Sequence, residues 1–181
     1  MPEDLFRPQL GEPHHCAYVV EDIGATVNSL VDQLGAGPFF LVERVPLENV
    51  RSRGEPAEFV HNSAFGFCGD GAVELIEAIR LAPERVEKAF ADPRPRIQHV
   101  AYVLPSTEVG DVRRALDERG VPHYLNSQFG EVETTIHDAS TVVGHDIELH
   151  ADNQGLRDFF AMVRTGAEGW DGSEPLRSVE I

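Results

Sequence analysis

His15-Cys-Ala-Tyr-Val-Val20 and His99-Val-Ala-Tyr-Val-Leu104 are two copies of one short sequence. Both are rich in β-branched and aromatic residues, so each reads as a strand. The segments after the two copies also match. Ile23 to Leu34 carries Val27, Leu30, Val31 and Leu34 at helical spacing and stops at Gly35. Val109 to Arg119 carries Val109, Val112 and Leu116 on one face and stops at Gly120. A glycine directly after the last helical turn suits a left-handed cap. The His-to-Gly separations are 20 and 21 residues, so the copies stay in step through strand and helix.

Strand-like runs come after each helix. The first helix leads to Phe39 to Val45, Glu58 to Cys68 and Ala72 to Ile79; the second leads to His123 to Ser127, Glu131 to His137 and His145 to Ala151. Turn residues separate them: Gly69-Asp-Gly71 in the first copy, Asp138-Ala-Ser140 and Gly144 in the second. The final strands match again, Val73-Glu-Leu75 with Ile147-Glu-Leu149. The prediction is an α+β protein, one domain over residues 1–181, built from tandem β-α-β-β-β units at 11–80 and 97–152. A C-terminal helix and tail occupy 153–181. That helix is expected from about Asn153 to Arg164 with Asp152 as its cap, and the tail from Gly166 is expected to be irregular. Leu81 to Arg96 joins the units through a short helix over Pro83 to Phe90 and a linker at 92–95. His to Glu spans 59 residues in the first unit and 49 in the second. The excess falls in Pro46 to Pro56, a polar segment with Arg51, Arg53 and Gly54, expected to be a long loop and a possible lid.

Alternation along a strand puts residues two apart on one face. His15 therefore shares a face with Ala17 and Val19, and His99 with Ala101 and Val103. Glu74 and Glu148 stand at equivalent points of two apolar strands, where an ionised carboxylate is costly unless paired or metal-bound. A pseudo-two-fold axis between the repeats would bring His15, Glu74, His99 and Glu148 together. Imidazole and carboxylate suit Zn, Ni, Co, Mn or Fe, so one divalent metal ion of that group is the expected cofactor. One strand histidine is more often a packed side chain than a ligand. Two at equivalent sites, each matched by a glutamate, favour the metal.

The paired H-x-A-Y-V strands and the two strands centred on Glu-Leu make the chain resemble the vicinal oxygen chelate (VOC) superfamily over roughly Gly11 to Ala151. Its members include glyoxalase I, methylmalonyl-CoA epimerase, extradiol dioxygenases and antibiotic-resistance proteins. The resemblance implies a glyoxalase-like fold, a cupped and mainly antiparallel sheet around a metal. Its ligands come from the first and last strand of each unit, here His15, Glu74, His99 and Glu148. Extradiol dioxygenases use two histidines and one carboxylate, and Glu74 fills the position they leave without a ligand. The set is similar to that of glyoxalases and to that of the epimerases, which carry Gln or Glu at the position of Glu74. Both remove a proton next to a carbonyl while the metal holds the enolate and a nearby carboxylate moves the proton. The implied function is a metal-dependent isomerase, epimerase or lyase. Glu148 and Glu74 would be its catalytic residues, and a small carbonyl compound or thioester its substrate. An extradiol-type dioxygenase and a non-catalytic, small-molecule-binding resistance protein are the alternatives. The likeness also implies a homodimer, and a cup partly covered by the C-terminal helix and the loop near Arg51.

A formal charge of −16 makes nucleic acid a poor partner and argues against anionic membranes. No apolar run approaches the ~20 residues of a membrane span, and the opening MPEDLFRPQLGEP lacks a signal peptide's basic start and apolar stretch. A cytoplasmic protein is expected. Cys16 and Cys68 sit in no spaced motif and are expected as small buried hydrophobes. His14 is expected to point away from His15. His150 shares a face with Glu148, as a pocket wall or a support. His61 and Glu58 lie near the place of an additional acid in the epimerases, without an alignment that carries the role over. Glu77 faces away from Glu74, and Arg44, Arg51 and Arg53 read as a solvated stretch. His123, His137 and His145 have no repeat partner and are assigned no role.

Overall fold

The computed structural model describes residues 9–94 and 96–180. The first eight residues, Pro95 and Ile181, and with Pro95 part of the 92–95 linker, lie outside the described residues. The first strand set is β1 (His15–Val19), β2 (Phe39–Val42), β5 (Glu58–Cys68) and β6 (Gly71–Ala82), with α1 (Ile23–Leu34) after β1. The second is β7 (Ile97–Leu104), β8 (His123–Phe129), β9 (Val132–His137) and β10 (Asp146–Ala151), with α3 (Val109–Glu118) after β7. A short helix α2 (Glu84–Phe90) joins the sets, and a single turn α4 (Ser140–Val143) precedes β10.

One sheet holds all the described strands. Its central order is β2-β5-β6-β1-β7-β10-β9-β8, in which the second half mirrors the first. Most neighbours are antiparallel; β1 with β6 and β7 with β10 are parallel. The architecture is thus the α+β one that the duplication predicts and the glyoxalase-like one that the resemblance implies.

Alternation sorts the two faces. Tyr18, Val73 and Leu75 turn outward and pack with Ile23 and Val27 of α1. Tyr102, Ile147 and Leu149 turn the same way and pack with Val112 and Leu116 of α3. Each helix presents one apolar stripe to the sheet, as its spacing dictates. Asp22 caps α1 through its side chain to Ala25 N, and Gly35 closes it at φ 63°. The opposite face of the sheet carries His15, Ala17, Glu74, His99, Ala101 and Glu148, all buried. Phe59, Phe90, Tyr124 and Ile136 form the floor beneath them. Burying one such large side chain contributes about 1.5–3 kcal/mol.

Several expectations are corrected. Pro46 to Pro56 is a hairpin rather than a loop: β3 (Glu48–Ser52) turns back through β4 (Glu55–Pro56), and β3 pairs with β8 of the other half. Leu47 and Val50 anchor it on the floor cluster. The C-terminal helix α5 (Gln154–Ala167) runs longer than expected, and Asn153 caps it, not Asp152. The tail is not wholly irregular, because β11 (Leu176–Ser178) adds a parallel strand beside β2. Cys16 is only half-buried and Cys68 is exposed at the end of β5. No described helix is long and apolar enough to cross a membrane.

A candidate metal centre

The site forms where β1 and β7 run side by side. Their antiparallel register sets His15 opposite Ala101 and Ala17 opposite His99. The histidines are therefore staggered symmetrically about the Cys16–Val100 pair. On the flanks β6 and β10 repeat one register, Glu74 beside Ala17 and Glu148 beside Ala101. Alanine at 17 and 101 leaves room above each, so the four longer side chains meet over the strands.

His15, Glu74, His99 and Glu148 each offer an atom, and these lie within 4.8 Å of one another. His15 Nε2 is 3.2 Å from Glu74 Oε2 and 3.7 Å from Glu148 Oε2. His99 Nε2 is 3.5 Å from Glu74 Oε2 and 3.1 Å from Glu148 Oε2. Ligands about 2.0–2.2 Å from one ion stand about 3–4.4 Å apart, so these separations fit. His99 Nε2 is buried, 3.1 Å from Glu148 Oε2, and completes no hydrogen bond among the described residues. A buried ring nitrogen left bare between two carboxylates is what a cation would satisfy. The donor set, two imidazoles and two carboxylates, fits a divalent transition metal or zinc.

Each of the four is held from behind. Ser63 Oγ donates to Glu74 Oε1 at 2.7 Å. On the other side the support is a relay: Thr134 donates to His150 Nδ1 at 2.9 Å, and His150 Nε2–H donates to Glu148 Oε2 at 2.8 Å. His99 Nδ1–H donates to Gln98 Oε1 at 2.6 Å, and Gln98 donates to Asp146 Oδ2 at 2.9 Å. Tyr124 donates to the same oxygen at 2.8 Å. A ring that gives its Nδ1–H away keeps Nε2 as a lone pair for a ligand role. His15 Nδ1 is 3.0 Å from His14 Nδ1, so His14 does not point away as expected. It precedes β1 and escapes the strand alternation, and its ring packs edge-on against Phe160.

Burial opposes charge on Glu74, but the hydrogen bond with His15 and the nearby His99 hold it well below the usual carboxylate range. Burial likewise opposes charge on Glu148, and His150 and His99 outweigh it. Burial disfavours the His99 cation, yet Glu148 and Glu74 raise its pKa to about 10 without metal. Burial and the neighbouring His15 lower His14 to about 4, so it stays neutral near pH 7.

A cavity of about 520 Å³ opens over the four residues. Phe59, Phe65, Phe129, Phe159 and Phe160 wall it, with Leu47 from the hairpin at its edge. Phe160 stacks over His15 at 5.5 Å. His150 and His61 both face it, and burial pushes His61 down toward neutrality. Glu58 lies away from it, exposed and paired with Arg80 at 2.9 Å. Arg51 bonds the Gly54 carbonyl at 2.9 Å. Neither it, Arg44, Arg53 nor the half-buried Glu77 lines the cavity. His123 pairs with Asp117 at 2.8 Å, outside the site. Sequence reasoning missed Gln98, Asp146, Ser63 and Thr134. Gln98 sits at an irregularity where the partner of β1 passes from His99 directly to Ile97, a bulge that lets adjacent residues 98 and 99 meet.

A mainly antiparallel sheet that gathers two histidines and two glutamates under an apolar cavity defines an α+β protein able to hold one metal ion. The sequence profile of the Glyoxalase/Bleomycin resistance protein/Dioxygenase superfamily matches residues 14–133, and the chain belongs to that superfamily. Among solved structures it is similar to methylmalonyl-CoA epimerase from Mycobacterium tuberculosis, with a TM-score of 0.54 and 16% identity over 86% of this chain and 97% of that one. It is also similar to a hypothetical protein from Bacillus halodurans, with a TM-score of 0.50 and 15% identity over 79% of this chain and 95% of that one. No curated protein matches the sequence significantly.

Proposed function

We propose that this chain is a metal-dependent isomerase, epimerase or lyase that removes a proton next to a carbonyl. His15, Glu74, His99 and Glu148 are its metal ligands, and Glu148 and Glu74 its catalytic carboxylates. The observation that carries the reading is the convergence of four buried donors from matching positions under one cavity. A divalent ion bound there supplies Lewis acidity, drawing charge from the substrate oxygen and acidifying the neighbouring C–H.

The chain's own residues divide the rest. Ser63 occupies Glu74 Oε1 and leaves Oε2 turned to the histidines. His150 occupies Glu148 Oε2, while Oε1 makes no hydrogen bond among the described residues and faces the cavity. Glu148 Oε1 is therefore the atom that takes the proton, and the Thr134–His150 relay fixes the carboxylate as it does so. Phe65, Phe159 and Phe160 exclude water from the reacting carbon. The epimerase name of the Mycobacterium tuberculosis relative accords with proton transfer on this fold.

The test is exchange of a substrate α-hydrogen with solvent deuterium, followed by NMR on zinc-, cobalt- or nickel-loaded protein. Glu148→Gln keeps a ligand oxygen and removes the base. It should retain some metal and lose about 10²–10⁴-fold in exchange rate. Oxygen uptake stoichiometric with product would instead establish a dioxygenase, and stoichiometric binding without exchange would establish a binding protein.

A further inference from the structure

We infer that the cavity takes an uncharged, largely apolar, ring-sized carbonyl compound and rejects carboxylates and coenzyme A thioesters. The inference depends on the proposed metal-centred function only for where the carbonyl oxygen docks.

Charge is the first argument. None of the described side chains lining the cavity is Arg or Lys. Nothing there would pair with a substrate carboxylate or phosphate, and burying an unpaired anion in such a space is heavily disfavoured. The metal centre does not make up the deficit. The carboxylates of Glu74 and Glu148 balance the two charges of a divalent ion, so no net positive charge remains to draw an anion in. Glu131, exposed on the lining, adds a negative charge instead. A chain of formal charge −16 further repels the phosphates of a nucleotide carrier.

Shape and chemistry are the second. Phe65, Phe159 and Phe160 meet edge to face at 5.1–5.6 Å and present both ring edges and faces to the cavity. Such pairing accepts a further aromatic or alicyclic ring. The polar groups nearby that are not part of the metal cluster are largely neutral: Ser127, Thr134, Asn153 and Gln154. They can bond a hydroxyl or a carbonyl without demanding charge. A volume of about 520 Å³ lies within the range of about 300–1,000 Å³ that encloses a drug-sized molecule.

The experiment is calorimetric titration of the full chain with 2-hydroxyacetophenone, its 4-carboxylate and coenzyme A, each with and without one equivalent of zinc. The neutral ketone should bind at least about tenfold more tightly than its carboxylate in both preparations, and coenzyme A should not compete. Leu156→Arg puts a cation on the cavity wall contributed by α5 and should narrow the gap by strengthening carboxylate binding. Equal or tighter binding of the carboxylate or coenzyme A overturns the inference, and so does failure of all three probes to bind. A neutral ketone that is preferred but binds no more tightly with zinc than without it upholds the substrate class and counts against the metal-centred function.

Discussion

Gln98→Leu removes the side chain that couples His99 to the buried Asp146–Tyr124 pair. Its amide oxygen receives His99 Nδ1–H at 2.6 Å, and its amide nitrogen serves Asp146 Oδ2 at 2.9 Å. Asp146 already has one oxygen without a hydrogen-bond partner among the described residues, and burial raises its pKa. The leucine would leave two buried polar groups each short of a bond. At about 1–3 kcal/mol for each, stability should fall by about 2–6 kcal/mol. For a chain of this size that is a drop of roughly 5–15 °C in Tm. His99 would also lose the bond that fixes its ring with Nε2 turned toward the two carboxylates. Removing such a support typically weakens metal binding ~10–100-fold. Urea denaturation of the metal-free protein reads the first effect, and zinc titration against a competing chelator reads the second. A folded Gln98→Leu protein that binds zinc as tightly as the wild type would refute the role given to this network.

The same geometry predicts two further outcomes. Without metal, Glu148 and Glu74 hold the His99 proton up to about 10 against the cost of burial, whereas an ordinary imidazole is neutral above about pH 7.5. A ligand must be deprotonated, so zinc binding at pH 8.5 should release close to one proton and apparent affinity should rise with pH toward 10. Calorimetry in buffers of different ionisation enthalpy measures the release, and none at pH 8.5 would remove the proposed carboxylate grip on His99. Gly66→Ala would place a methyl group 2.7 Å from Phe39 Cδ1 and 2.9 Å from the Pro38 carbonyl oxygen. Backbone cannot yield cheaply, so denaturation should show a loss of about 1–3 kcal/mol, and an unchanged midpoint would mean that strand β5 gives way.

Much of this architecture was legible because duplication and alternation reinforce each other. The two H-x-A-Y-V strands set the repeat, the period of two put His15 and His99 on one face, and the Glu-Leu strands repeated the pattern at Glu74 and Glu148. Each feature that escaped did so for a physical reason. The β3 hairpin, Glu-Asn-Val-Arg-Ser with its turn, is polar along one edge of the sheet and shows no apolar alternation; its pairing with β8 depends on the curl of the whole sheet. Gln98 meets His99 only through a bulge, and bulges leave no reliable sequence mark. His14 lies one residue before the strand, where alternation does not apply, and a contact with Phe160 from the C-terminal helix decides its direction. Cys68 ends its strand beside the Gly69 turn, so its apolar character did not foretell burial.

His15, Glu74, His99 and Glu148 are proposed to hold one divalent ion. The most direct test is elemental analysis of protein purified without chelators, paired with X-ray absorption at the edge of the bound metal. One ion per chain should be found, with two imidazole nitrogens and two carboxylate oxygens at about 2.0–2.2 Å. Glu74→Ala and His99→Ala should lose most of it while their far-UV circular dichroism stays near wild type. Full metal affinity in both variants, or a wild-type protein that binds none of zinc, nickel, cobalt, manganese or iron, would contradict the account.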